Sequence, residues 1–192
     1  MRLVFSVFFD IENYEDFFYR IIQSRLKCVE SEKYLINVET LEQICNTQIE
    51  PSYSTHPWEG YVFLQKDSFV IFRNNDSDGY FSFVHNIATL YNIRTAHIRI
   101  YDEKPYPGYF LTYYENQKQR VIYNIKENRW KFYHTGDPAF FEEGDNYEEK
   151  RIPDKFNKEK LLLFCNRMGI NLEDEDFFKP VAPIFHFYET VV

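Results

Sequence analysis

The groups that could do chemistry are few and scattered. His97 lies between Arg94 and Arg99, a spacing that could gather positive charge around an anionic substrate, and His134 could serve as a general base. None of the five histidines stands two or four residues from another, so no local metal-ligand pair exists. The plainer reading of His97 and its arginines is a solvated strand face. Cys165 falls on an apolar helical stripe, where a thiol is normally inert packing.

Motifs with a defined mechanism are missing. There is no GxxxxGK[ST], GxGxxG, GxSxG or HExxH pattern. Asn74 to Gly79 matches the first half of a calcium loop, but position 12, which needs a bidentate carboxylate, is His85. A polar hairpin loop explains those residues better. The sequence therefore implies no catalytic residues, no metal and no cofactor. A site assembled from distant positions around His97 and His134 is the alternative enzyme reading. A structural or regulatory interaction protein is another.

The acidic-aromatic segments are more suggestive. The run from Phe140 to Glu149 is one, with Phe141, Glu142, Glu143, Asp145, Tyr147, Glu148 and Glu149 as its candidates, and Asp174, Glu175 and Asp176 precede Phe177 and Phe178 in another. Rings anchor protein interfaces, and charges set orientation and association rate. These ten residues are the candidate partner-binding set. The competing reading buries the rings and leaves the acids to solvate a loop.

The elements that must position these groups follow from periodicity. Leu3 to Phe9 reads as a buried strand. Tyr14, Phe17, Phe18, Ile21 and Ile22 form one helical stripe capped by Asn13 and running to about Cys28. A short strand at Tyr34 to Val38, a helix after Thr40 and a loop from Glu50 to Pro57 follow. From Gly60 the period becomes two. Strands are expected at Tyr61 to Leu64, Ser68 to Phe72, Tyr80 to Val84, His97 to Tyr101, Tyr109 to Tyr114, Arg120 to Lys126 and Trp130 to His134. Within Arg120 to Lys126, the alternation places Val121, Tyr123 and Ile125 inward and Arg120, Asn124 and Lys126 in water. Asn157 caps a helix that ends at Gly169, and Ile184 to Tyr188 is a last apolar stretch.

Together these give a single domain over 1–192. It has a helical N-terminal part at about 10–48, a sheet at about 60–134 and a C-terminal helix at about 157–169. The expected class is α+β: an antiparallel meander of about six or seven strands with helices packed on one face.

Net charge of −8 and the lack of a basic run argue against nucleic-acid binding. No segment approaches the length of a membrane span. Three widely spaced cysteines without a CxxC pair argue against a disulfide framework and point to a cytoplasmic location.

From Arg120 to Phe178 the chain reads RVIYNIKENRWKFYHTGDPAFFEE, then Tyr147, RIPDKFNKEKLLLFCNRMGI and DEDFF. This stretch resembles the C-terminal half of bacterial immunity proteins, which accompany polymorphic or contact-dependent toxins. The resemblance implies a cytoplasmic protein that neutralises one cognate toxin by direct binding. A basic nuclease would suit its acidity. Neither the resemblance nor the composition sets the oligomeric state.

Overall fold

Two neighbours seal the first strand. Arg2–Phe8 (β1) is so apolar that both its faces must be covered, and Leu3 through Phe8 are all buried. The computed structural model describes residues 2–23, 30–34, 59–64, 69–74, 78–145, 147–174, 176–178, 181 and 184–188. β1 is followed by Tyr14–Phe17 (α1), a π-helical turn at Phe18–Gln23, and Glu30–Tyr34 (β2). Then come Glu59–Leu64 (β3), Val70–Asn74 (β4), Phe81–Leu90 (α2) and Thr95–Tyr101 (β5). Gly108–Glu115 (β6), Lys118–Lys126 (β7) and Trp130–Thr135 (β8) follow. A 3-10 turn at Phe140–Glu142, Ile152–Lys155 (α3), Lys158–Arg167 (α4) and Ile184–Tyr188 (β9) end the series.

The class is α+β. The strands form one antiparallel sheet in the order β2-β9-β3-β4-β1-β5-β6-β7-β8. The meander expected from short turns holds for β5 to β8. Elsewhere β1 inserts between β4 and β5, and β9 between β2 and β3, which a reading of turn lengths cannot detect.

Helices cover both faces, not one. On one face Leu3, Phe5, Val7, Ile98, Ile100 and Leu111 pack with Leu161, Phe164 and Cys165 of α4. On the other, Phe8, Val70 and Phe72 pack with Phe17 of α1 and with Phe83, Val84 and Ile87 of α2. The second layer arises because Tyr80 to Val84 is not a strand. Its residues Phe81 to Val84 begin α2, whose buried Phe83, Val84, Ile87 and Ala88 recur at helical spacing. Asp78 Oδ1 accepts a hydrogen bond from Phe81 N at 3.2 Å, drawing the chain into the first turn. So short a run, apolar except for Ser82, fits either period, and here the helical continuation decides.

The expected caps are present. Asn13 Oδ1 accepts from Asp16 N, and Asn157 Oδ1 from Lys160 N, each at 2.9 Å. Gly169, at φ +83°, ends α4. Residues 35–58 and 65–68 lie outside the described residues. So do the Thr40–Cys45 helix, the Glu50–Pro57 loop, most of the Tyr34 to Val38 strand and the start of Ser68 to Phe72. Cys28 and the residues 75–77 of the loop before Gly79 are outside as well.

Candidate functional site

The return of the chain from β8 to α4 is organised by two polar side chains of β7. Contrary to the alternation expected there, Arg120, Ile122 and Asn124 face the core, while Val121, Tyr123 and Ile125 are half-buried on the other side. The inversion is tolerated because the donors of both side chains are matched by acceptors. Asn124 Nδ2 donates to the carbonyls of Ile152 at 2.8 Å and Phe156 at 2.9 Å, tying α3 to the sheet.

Arg120 makes the stronger link. Its Nε donates to Glu142 Oε1 at 2.7 Å and NH2 to Oε2 at 2.6 Å, with side-chain exposures of 4% and 1%. Arg120 NH1 donates to the carbonyls of Thr135 at 3.1 Å and Gly136 at 2.9 Å. Glu142 also accepts from Ala139 N at 2.9 Å and from the Tyr147 hydroxyl at 2.5 Å. Burial alone would raise the Glu142 pKa, but these donors outweigh it and hold the carboxyl below its usual range. Burial, reinforced by the Glu142 carboxylate, pushes the Tyr147 hydroxyl upward.

This geometry redistributes the candidate partner-binding residues. Phe141, Glu142 and Tyr147 are buried, with Phe141 packed edge-on to Tyr113 at 5.1 Å. They cannot meet a partner without unfolding the segment. Asp145 and Glu149 share Lys160, at 2.9 Å and 2.6 Å. Glu143, Glu148, Asp174 and Asp176 are exposed, and Glu175 lies outside the described residues. The second segment hangs from a different part of the sheet: Phe177 and Phe178 pack edge-on to Phe5 of β1 at 6.2 Å and 5.4 Å.

Sequence reading placed Phe140 in the first acidic-aromatic run but not among the candidate partner-binding residues. It is 53% exposed although its neighbour Phe141 is fully buried. In a Phe-Phe pair, nothing in the residue types says which ring turns outward. The signal was Glu142, whose commitment to Arg120 fixes the turn.

The alternative constellation does not assemble. His97 is completely buried on the face of β1 and β5 that carries Ser6, with Ser6 Oγ 2.8 Å from its Nδ1. Gly79 closes over it: a Cβ there would stand 2.8 Å from His97 Cε1 and 2.4 Å from Val4 Cγ1. Burial, aided by the Arg99 charge, lowers the His97 pKa to about 3. His134 lies on β8, on the opposite side of the sheet, 3.2 Å from Arg120 NH1. Arg94 pairs with Asp10, and Arg99 lies 4.2 Å over the Phe110 ring. Cys165 is fully buried, and its thiol is raised by that burial.

Among the described residues no group of His, Cys, Asp and Glu is placed to hold a metal ion. Among them, too, no helix is long and apolar enough to cross a membrane. What fold and site define is an α+β protein with an antiparallel sheet and a C-terminal segment clamped by a buried ion pair. Comparison with known protein families, with curated proteins and with solved structures found no match.

Proposed function

We propose that the chain is a cytoplasmic binding protein of the immunity type, which neutralises a cognate toxin by direct contact. The observation that supports this best is Phe140. A large ring is held in water by a rigid support, the Arg120–Glu142 pair, so an anchor for a partner exists before the partner arrives. The exposed carboxylate of Glu143 nearby and the net charge of −8 favour a basic polypeptide, with a nuclease among the candidates. The resemblance of Arg120 to Phe178 to immunity proteins points the same way.

Capture of the tagged protein from its native host's lysate, followed by mass spectrometry, tests the reading. The expected result is one basic polypeptide in fixed stoichiometry whose toxicity disappears on co-expression. Recovery of the protein alone, while a candidate toxin is demonstrably expressed, would count against it.

A further inference from the structure

One end of the sheet gathers features that the clamp does not use. The β6–β7 turn, with Asn116 and Gln117 both at positive φ, separates two clefts. One cleft is lined by Phe9, Asp10, Asn92 and Arg94, the other by Tyr113, Lys118, Asp137 and Phe140, and Glu115 and Asn116 belong to both. The turn is fastened to the end of α2 by Asn92 Oδ1, which accepts from Gln117 N at 3.0 Å. Beside it stand Leu90, 61% exposed, and Tyr91.

Charges here are unevenly matched. Arg94 is neutralised by Asp10 at 2.9 Å and Lys118 by Asp137 at 3.1 Å. Glu115, half-buried in the wall between the clefts, makes no ion pair among the described residues. Next to it is Tyr113, only 3% exposed, its hydroxyl sealed from solvent beside the side chains of Glu115 and Arg94. Phe140 completes the place, its ring centroid 6.2 Å from that of Tyr113.

Resting on the immunity-type reading, we propose that this hairpin end is the docking surface, and that its centre receives an arginine side chain of a basic partner. The guanidinium donates to the Glu115 carboxylate and lies against the exposed Phe140 ring. Leu90 and Tyr91 supply the apolar rim on the far side of the turn. A planar guanidinium can stack on the ring while donating to the carboxylate, which a lysine's compact ammonium does less well.

The probe is a capped hexa-arginine peptide, titrated into the full chain at low salt, with hexa-lysine and hexa-glutamate for comparison. Amide resonances of Asn116, Gln117 and Ala139 should shift with hexa-arginine and more weakly with hexa-lysine. Glu115→Gln and Phe140→Ser should each weaken binding at least fivefold. Glu148→Gln should change it less than twofold. Binding that shifts amides around Glu148 or Asp174 and ignores Glu115→Gln would overturn this surface but leave a basic partner standing. No hexa-arginine binding at all would also overturn it, and the capture experiment would then decide the immunity-type reading on its own.

Discussion

Arg120 and Glu142 meet through two parallel hydrogen bonds, 2.7 Å and 2.6 Å long, in a place almost closed to water. Neither can leave without stranding a buried charge. Arg120→Met or Glu142→Leu alone should cost about 3–5 kcal/mol, whereas the double replacement should be much milder than either. Urea midpoints of the three variants check this. Charge reversal at Glu142 should therefore unfold the segment, and within it the exposed Glu143 and Glu148 are the carboxylates to reverse as tests of binding.

His97 predicts an acid-sensitive stability. Its pKa falls from 6.5 to about 3 on folding, so between those values the unfolded chain binds a proton that the folded chain excludes. Stability is then full above pH 6.5 and declines as the pH falls, with a slope approaching about 1.4 kcal/mol per pH unit. His97→Asn should flatten the decline between pH 6.5 and 5. The separate loss from Glu142, whose carboxyl is held below its usual 4.5, should remain, setting in as pH drops beneath that value. Denaturant midpoints from pH 7.5 to 4 distinguish the two.

Two glycines with similar backbones should respond differently. Gly136 (φ +86°) would place a Cβ 2.1 Å from the Gln119 carbonyl oxygen, and its own carbonyl serves Arg120. Gly144 (φ +82°) has nothing within 4 Å of the same position. Gly144→Ala should cost only the backbone penalty of about 1 kcal/mol, and Gly136→Ala clearly more, because backbone must move. Thermal denaturation of the pair provides the comparison.

What the sequence made legible was local. The caps at Asn13 and Asn157, the end of α4 at Gly169 and the strands from Thr95 to Thr135 follow from spacing that neighbouring residues enforce. What stayed hidden was set by partners far along the chain. Arg120 and Asn124 read as wet because polar residues in a strand usually are; only Glu142 and the α3 carbonyls, supplied later, make them interior. Of the candidate site, Glu143, Glu148, Asp174 and Asp176 remain at the surface, while Phe141, Glu142 and Tyr147 became framework. Phe140 and Glu115 gain significance only from the end of the sheet where the turn places them.

The central position of β1 has a cost during synthesis. Its partners are Phe72 on one side and residues as distant as Tyr101 on the other. At ribosomal speeds of about 5–20 residues per second, the first strand waits roughly 5–20 seconds for its second neighbour to emerge. Throughout that interval at least one edge of the strand carrying Val4, Phe5, Val7 and Phe8 is an unclaimed adhesive strip on a nascent chain, well suited to a chaperone's grip. Birth order and burial order run opposite here: β1 is made before either of its neighbours and is enclosed only when the later of them has emerged.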